Sequence, residues 1–447
     1  MSREAESCLI GCIILNNEIV VEMDTFDPKD FSRPAYAKIF EVITHLYCMG
    51  QKVDLVTIKE ELRLRGVSRV EGEEEEVVLI AQHCVTDVPT TTHYKEYIEI
   101  VRKAAKQRKI KKLTAKIDEC ASVDTNESRK EEKDLIARLE TVMSDDGESG
   151  RMVEMSELMR DWSLPERREI PDWKKIGFEE LDRTLDLYEP GTLTFIAGRP
   201  GQGKTTLARQ LMMKMSRHEP VELFSLEESM TIARNKMICT DAKISFLSYS
   251  YGQVSEDETQ RIIISAGEVS TLNLRIHNKE SIGIPKVRLI SRWHKAQFPE
   301  NGAIWIDHLQ LMDRSRTKND NSALSEITRG LKRLALEVNL PILVCCALNR
   351  NAEHREGGKP SLADLRDCGA IESDADKVIF IYTPDHEQPS MKKIFLGKHR
   401  NGPCGSADVI MTAWGELVQQ TTMHGDPMPP SVGVPPPPIE REDRYGS

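Results

Sequence analysis

The chain has 447 residues, 39% of them hydrophobic and 30% charged, with a formal net charge of -11 at neutral pH. That length exceeds what one hydrophobic core usually holds, about 250 to 300 residues, so two or more domains are expected. The acidic balance excludes a globally basic nucleic-acid coat, and aromatic residues at 5% argue against base stacking on an aromatic platform.

The segment MSREAES carries no apolar signal core, and the early apolar run Leu9 to Leu15 is far too short to span a bilayer. A cytosolic protein with no membrane partner is expected. Ten cysteines are scattered without a CxxC pair, which suggests neither a zinc site nor a disulfide framework. Cys8 and Cys12 share a helical face and read as core packing.

From Ala5 to about Ile117 the pattern is helical. Pro34 suits a first helical position, and Tyr36, Ile39, Phe40, Ile43 and Tyr47 then draw one apolar stripe. Asp54 caps a following helix that Gly66 closes. Tyr94, Tyr97, Ile98 and Val101 repeat the helical spacing before a basic run of Arg102, Lys103, Lys106, Arg108, Lys109, Lys111 and Lys112. That run reads as a solvated helix face, with nucleic-acid contact as the alternative.

These residues, 1–117, form a small all-α N-terminal domain without chemistry of its own. Residues 118–175 read as a polar linker. Within it, Val153, Leu158, Met159 and Trp162 make a short amphipathic stretch that cannot hold itself together in water. It therefore docks on its own chain or on a neighbouring subunit. From Ile176 to 424 strand patterns alternate with helical ones, as in an α/β domain with a mostly parallel sheet. Strands are expected at Thr192–Ala197, Val221–Leu226, Leu274–His277, Ala303–Ile306, Ile342–Ala347 and Val378–Tyr382, with helices between them including Lys204–Ser216 and Leu324–Val338. The tail, 425–447, is proline-rich and reads as disordered or polyproline II.

The first of these strands runs into Gly198, Arg199, Pro200, Gly201, Gln202, Gly203, Lys204 and Thr205, which fits GxxxxGK[ST] between a strand and a helix; this is a P-loop of a nucleoside triphosphatase. Its glycines let backbone amides turn onto phosphate oxygens, and the helix that continues through Thr206 offers its free N-terminal amides to the same anion. Lys204 supplies charge for the β- and γ-phosphates of ATP, and the Thr205 hydroxyl suits Mg²⁺.

Asp307 closes an apolar strand, where α/β sheets open their ligand crevice, and is a second candidate for Mg²⁺ or its water shell. The strand VELFSLE delivers Glu227 at its carboxyl end, where it would activate the water that attacks the γ-phosphate, and Glu228 competes for that role. Neighbouring side chains on a strand face opposite ways, so one of the two is excluded without saying which. Lys398, His399 and Arg400 precede Asn401-Gly402-Pro403, a turn signature that makes them the tip of a hairpin able to project into a neighbour's site or to stay solvated. Arg366 with the Gly369 backbone could hold a phosphate, the alternative being a salt bridge to Asp364 or Asp367.

Together these segments resemble the DnaB-type replicative helicases of bacteria and their phages. GFEELDR, PGTLTFIAGRPGQGKTT, FSLEES, IDHLQLM, LSEITRGLKRLA, LNR, DLRDCGAIESDAD and GKHRNGPCG look like that family's motifs in its order. The N-terminal segments EAESCLIGCIIL, DFSRPAYAKIF and VDLVTI look like its helical domain. The resemblance implies a RecA-like ATPase domain in a homohexameric ring that moves on single-stranded DNA and unwinds forked duplex. It implies Glu227 as catalytic base, Lys398 and Arg400 reaching the neighbour's γ-phosphate, and Arg366, Asp367 and Gly369 gripping the DNA backbone. The linker stretch would dock on the adjacent ATPase domain, and the N-terminal domains would form a collar for primase or a helicase loader.

One departure stands out. Where the family has SQLNR this chain has Cys346-Ala-Leu-Asn-Arg350, so Ala347 replaces a glutamine that senses the γ-phosphate. Coupling of hydrolysis to movement then passes through other residues, Asn349 or His308, or is weakened. That substitution also keeps open a nucleotide-gated DNA- or helicase-binding scaffold without unwinding. A recombinase filament fits poorly with a helical domain over the first 117 residues.

Overall fold

The computed structural model describes residues 2–73, 75–121, 170–183, 185–278, 282–299, 301–313, 320–349, 358–385 and 387–419, together with 135, 136, 139, 142, 155 and 159; at 2, 121, 320–322 and 366–370 it describes backbone alone. Most of the linker, its residues Val153, Leu158 and Trp162, and the proline-rich tail lie outside the described residues.

Helices α1 (Ser2–Leu15), α2 (Pro34–Cys48), α3 (Leu55–Leu64), α4 (Val77–Thr86) and α5 (Tyr94–Ala121) build the first unit. Pro34 opens α2, and Tyr36, Ile39, Phe40 and Ile43 are buried while Tyr47 packs at the margin. Asp54 caps α3 by accepting from Val56 and Thr57 N–H, and the Thr57 hydroxyl closes the reciprocal capping box. Gly11 is required by close approach: a Cβ there would lie 2.1 Å from the Cys84 carbonyl of α4. Cys12 is buried and Cys8 half-buried in this packing. Along α5, Arg108 pairs with buried Glu6 at 3.0 Å and Lys109 with Asp30 at 2.5 Å, while Arg102, Lys103, Lys111 and Lys112 are exposed, as a solvated face would have them.

The second unit is a nine-stranded sheet in the order β3-β2-β4-β5-β1-β6-β7-β8-β9. Its parallel part comprises β1 (Leu193–Gly198), β2 (Val221–Ser225), β3 (Leu274–His277), β4 (Ala303–Asp307), β5 (Ile342–Ala347) and β6 (Lys377–Tyr382). Three further strands, β7 (Met391–His399), β8 (Ser406–Met411) and β9 (Leu417–Gln419), continue it in antiparallel fashion. Crossovers are made by α6 (Lys204–Ser216), α7 (Met230–Ala242), α8 (Phe246–Ser250), α9 (Glu256–Ser270), α10 (Ile284–Gln297), α11 (Asp320–Val338) and α12 (Gly369–Asp374).

Both faces are covered, which is why the central strands read as continuous apolar runs. Ile196, Leu343 and Trp305 pack with Leu207, Leu211 and Met215 of α6, while Phe195, Ile304 and Val344 pack with α10 and α11 through Val287, Ile290, Leu331 and Leu334. The first unit meets the second where α2 lies on α10: the His45 and Trp293 rings are 5.6 Å apart, Lys286 donates to the Tyr47 hydroxyl at 3.1 Å, and Arg288 pairs with Asp24 at 2.7 Å. Among the described residues no helix is long and apolar enough to cross a membrane.

Candidate active site

Parallel strands deliver their carboxyl ends to one edge of the sheet, and the register puts Gly198 beside Ala347 and Ser225 beside Asp307 there. Gly198 leads into the P-loop, and a Cβ on it would lie 2.7 Å from the Ile381 carbonyl of β6. Gly201 and Gly203 adopt φ of +75° and +102°, open to glycine and strained for other residues. The loop then enters α6 at Lys204, whose Nζ donates to the Arg199 carbonyl at 3.1 Å.

Burial pushes the Lys204 ammonium below the usual lysine range, with the charges of Asp307 and Glu227 opposing that effect. Such an ion lacks a counter-charge of the strength a triphosphate carries. Arg199 donates to the Leu348 carbonyl at 3.0 Å, and Gln202 accepts from the Thr383 hydroxyl at 2.5 Å, while Pro200 is exposed and Thr206 half-buried.

Asp307 is buried at the end of β4, and burial pushes its carboxyl up against the lowering effect of a hydrogen bond from Thr205. Its Oδ1 is buried with no hydrogen-bond partner among the described residues. A threonine hydroxyl beside a carboxylate oxygen lacking a partner is an oxygen-donor set that fits Mg²⁺. Glu227 Oε2 is 2.9 Å from His308 Nδ1, and ligand atoms of Glu227, Asp307 and His308 all lie within 4.8 Å of one another.

Strand alternation does not separate the two glutamates, because β2 ends at Ser225 and both occupy the bend that follows. They are separated by partners instead. Glu228 is ion-paired to Lys236 of α7, and its carbonyl accepts from Ser225 Oγ and Asn278 Nδ2. Glu227 is the one at the Asp307 cluster.

Lys398 is the last residue but one of β7 and Arg400 begins the turn, at the far end of the sheet from their own P-loop. Residue 399 pairs with Lys377 at the start of β6, whereas the P-loop glycines pack on Ile381 near its end. That separation is about 13 Å at roughly 3.3 Å per residue. The structure therefore does not bring Arg400 or Lys398 to the nucleotide loop of the same chain. Burial, and then the neighbouring Arg400, push the Lys398 ammonium below its ordinary value.

Arg366 and Asp367 lie in the 3-10 segment Leu362–Cys368, and Gly369 opens α12; the Arg366 side chain, and with it a phosphate contact or a salt bridge to Asp364 or Asp367, lies outside what the structure describes. The Asp364 carboxylate accepts from Ser361 N–H at 2.7 Å.

Sequence reasoning missed Gln310. Its amide donates to the Ala347 carbonyl at 3.0 Å and accepts from the Ala347 N–H at 3.1 Å, so a side chain from beyond β4 holds the backbone at the alanine position. The next residues lead in two directions: Leu348 N–H donates to Gly198 at 3.3 Å and Asn349 N–H donates to Asp364 at 3.2 Å. The polar residue in IDHLQLM, just past a strand end, was the available signal.

Residues 175–415 match the model of the DnaB-like helicase C terminal domain, and residues 1–103 match that of the DnaB-like helicase N terminal domain. The replicative DNA helicase DnaB of Geobacillus stearothermophilus is 29% identical over 427 residues, which cover 91% of this chain and 92% of that protein. The replicative DNA helicase DnaB of Haemophilus influenzae is 30% identical, covering 90% of each. A solved DnaB-like replicative helicase, described with its interactions with primase, superposes with a TM-score of 0.55 over 94% of this chain and 100% of that one; at 24% identity this likeness concerns the fold.

Proposed function

The chain belongs to the DnaB-like helicase family, and from that premise we propose that it works as a homohexameric ring whose ATP sites are each split between two subunits. It is a replicative DNA helicase, an ATP-hydrolysing enzyme. The observation that supports the split-site reading is the position of Arg400 and Lys398, about 13 Å along β6 from their own P-loop, on the hairpin between β7 and β8. Cations so placed serve a neighbour.

In this reading the P-loop amides and Lys204 bind the triphosphate, and Thr205 and Asp307 hold Mg²⁺. When bound, that ion neutralises charge on the β- and γ-phosphate oxygens. Glu227, oriented by His308, accepts a proton from water as the water oxygen bonds to the γ-phosphorus and the bond to the β-phosphate oxygen breaks. Arg400 and Lys398 of the neighbouring subunit offset the charge on the transferring group. The segment Arg366, Asp367 and Gly369 holds the backbone of single-stranded DNA. The contacts of Leu348 and Asn349 link the P-loop to that segment by main chain, which supports coupling despite Ala347.

We assign residues 1–117 to a collar domain, 118–175 to the linker, 176–424 to the ATPase domain and 425–447 to a tail, a division that the two family matches support. A groove of about 490 Å³ between α7, α9 and β3, lined by Met237, Ile238, Ile262 and Leu274, supports docking of a neighbour's linker, whose Met155 and Met159 are exposed and one helical turn apart. The collar engages primase or a loader, and the enzyme works on forked DNA in the bacterial cytosol.

Strand displacement on forked DNA, comparing the intact protein with Lys204→Ala and Arg400→Ala, tests the reading. Both variants should fail to unwind, with Arg400→Ala still binding nucleotide. Equally poor binding in Arg400→Ala would show that residue to be structural, and no unwinding by the intact protein under any nucleotide or salt condition would leave a scaffold instead.

A further inference from the structure

Within one protomer the two hairpin cations are already engaged. Arg400 donates from Nη1 to Asp376 Oδ1 at 3.1 Å and from Nη2 to the Ser373 carbonyl at 3.1 Å, and its backbone N–H meets the Asp376 carbonyl at 2.9 Å. Lys398 Nζ donates to the Glu372 carbonyl at 2.6 Å and to the Ser373 carbonyl at 3.4 Å. Asp376 is buried, and its other oxygen accepts from Leu193 N–H at 2.8 Å and from Lys332 Nζ at 2.7 Å. One carboxylate thus joins the hairpin, α11 and the start of the strand that ends in the P-loop.

Glu372 and Ser373 belong to the last turn of α12, and Gly369 is its first residue. The last carbonyls of a helix have no donor within it, and cations placed there stabilise it. A helix of 6 residues does not persist on its own, so what caps its end decides whether it stays formed.

We propose that Asp376 is a positioning residue that parks Arg400, and that drawing Arg400 and Lys398 onto a neighbour's γ-phosphate uncaps α12 and frees residues 366–369. Each subunit's hold on DNA then answers to the nucleotide carried by its neighbour. This rests on the reading of Arg400 and Lys398 as residues that act on the adjacent site.

Hydrogen exchange on the full-length protein with a single-stranded oligonucleotide tests it. Amides of residues 369–374 should exchange about tenfold faster with a non-hydrolysable ATP analogue than with ADP, in the usual range of coupling between sites; equal rates would overturn the proposal. Asp376→Asn should lower kcat about tenfold with KM for ATP changed less than about twofold, since its own P-loop contacts are intact. It should also abolish the difference in oligonucleotide affinity between the two nucleotides. Wild-type kcat and a wild-type affinity difference in that variant would overturn the positioning role. If Asp376→Asn does not assemble, Lys398→Ala serves in its place, and should show raised exchange at 369–374 already with ADP; unchanged exchange counts against the clasp. Arg400→Ala separates the two ideas. Normal turnover in it removes the adjacent-site reading and the clasp together, whereas loss of turnover in it, with nucleotide-insensitive exchange in the wild type, removes the clasp alone.

Discussion

His308 Nδ1 lies 2.9 Å from Glu227 Oε2, joining the ends of two adjacent parallel strands above the P-loop. Glu227 is 53% exposed, so an unrestrained carboxylate there would sample several rotamers, while His308, at 16%, is held. We expect His308→Ala to lower kcat for ATP by about ten- to a hundredfold, the loss that follows when a general base is misaligned. KM should stay near its wild-type value. Steady-state ATPase measurements with single-stranded DNA check this, and a KM that rises as far as kcat falls would assign His308 to nucleotide binding.

Lys204 supplies a pH test. Burial lowers its pKa in the free protein, and a bound triphosphate raises it again. The charged form is the one that binds, so affinity is constant below the free-protein pKa and declines as pH climbs through it, because binding then requires proton uptake. Titrating a fluorescent ATP analogue across the alkaline range should show affinity falling with pH in the wild type. An arginine at this position stays charged throughout, so Lys204→Arg should bind more weakly but with a flat profile. A flat wild-type profile would show that Lys204 stays protonated without ligand.

Much of this architecture was legible because its signals are local. A β-branched run feeding GRPGQGKT gives strand, loop and helix together, and Asp54 ahead of VTIKEELRLRG announces a helix cap. Apolar runs between turn signals mark Leu274–His277 and Ile342–Ala347, and the strands occupy those same residues. What stayed hidden depends on contacts between distant positions. The choice of Glu227 over Glu228 turns on Lys236 and His308, 8 and 81 residues away from their respective partners. Asp376 meets Leu193 across 183 positions, and no local pattern marks an aspartate that will hold an arginine. β9, with 3 residues, is too short for a period-2 pattern to stand out.

Shared sites predict complementation. In a ring with head-to-tail interfaces, Lys204→Ala and Arg400→Ala protomers each damage a different side of the interface. Random mixing in equal amounts leaves an intact P-loop facing an intact Arg400 at about one interface in four, so about a quarter of wild-type ATPase should return if sites fire independently. Each variant alone should remain inactive. Absence of any recovery in mixed rings would mean that both residues serve the same protomer's site, or that the ring hydrolyses only as a concerted whole.

Glu222 offers a stability test remote from the nucleotide. Burial alone would raise its pKa, yet hydrogen bonds from His277 and His294, each at 2.7 Å, and from Arg275 Nε at 2.7 Å outweigh that and hold the carboxyl well below its ordinary range. Arg275 in turn lies over the Trp293 and Phe298 rings, and Trp293 meets His45 of the first unit, so the cluster sits under the contact between units. Glu222→Gln keeps the shape but strips Arg275 of its counter-charge, at a cost of about 3 kcal/mol, near the lower figure for breaking a buried pair because Arg275 is partly solvated. Because the folded pKa is depressed, the carboxylate's contribution is complete above the unfolded value of 4.5 and is lost as pH falls below it. Urea unfolding should therefore show a wide gap between wild type and Glu222→Gln at neutral pH that narrows progressively in acid. A gap that stays constant with pH would mean that packing, and not the charge, makes Glu222 matter.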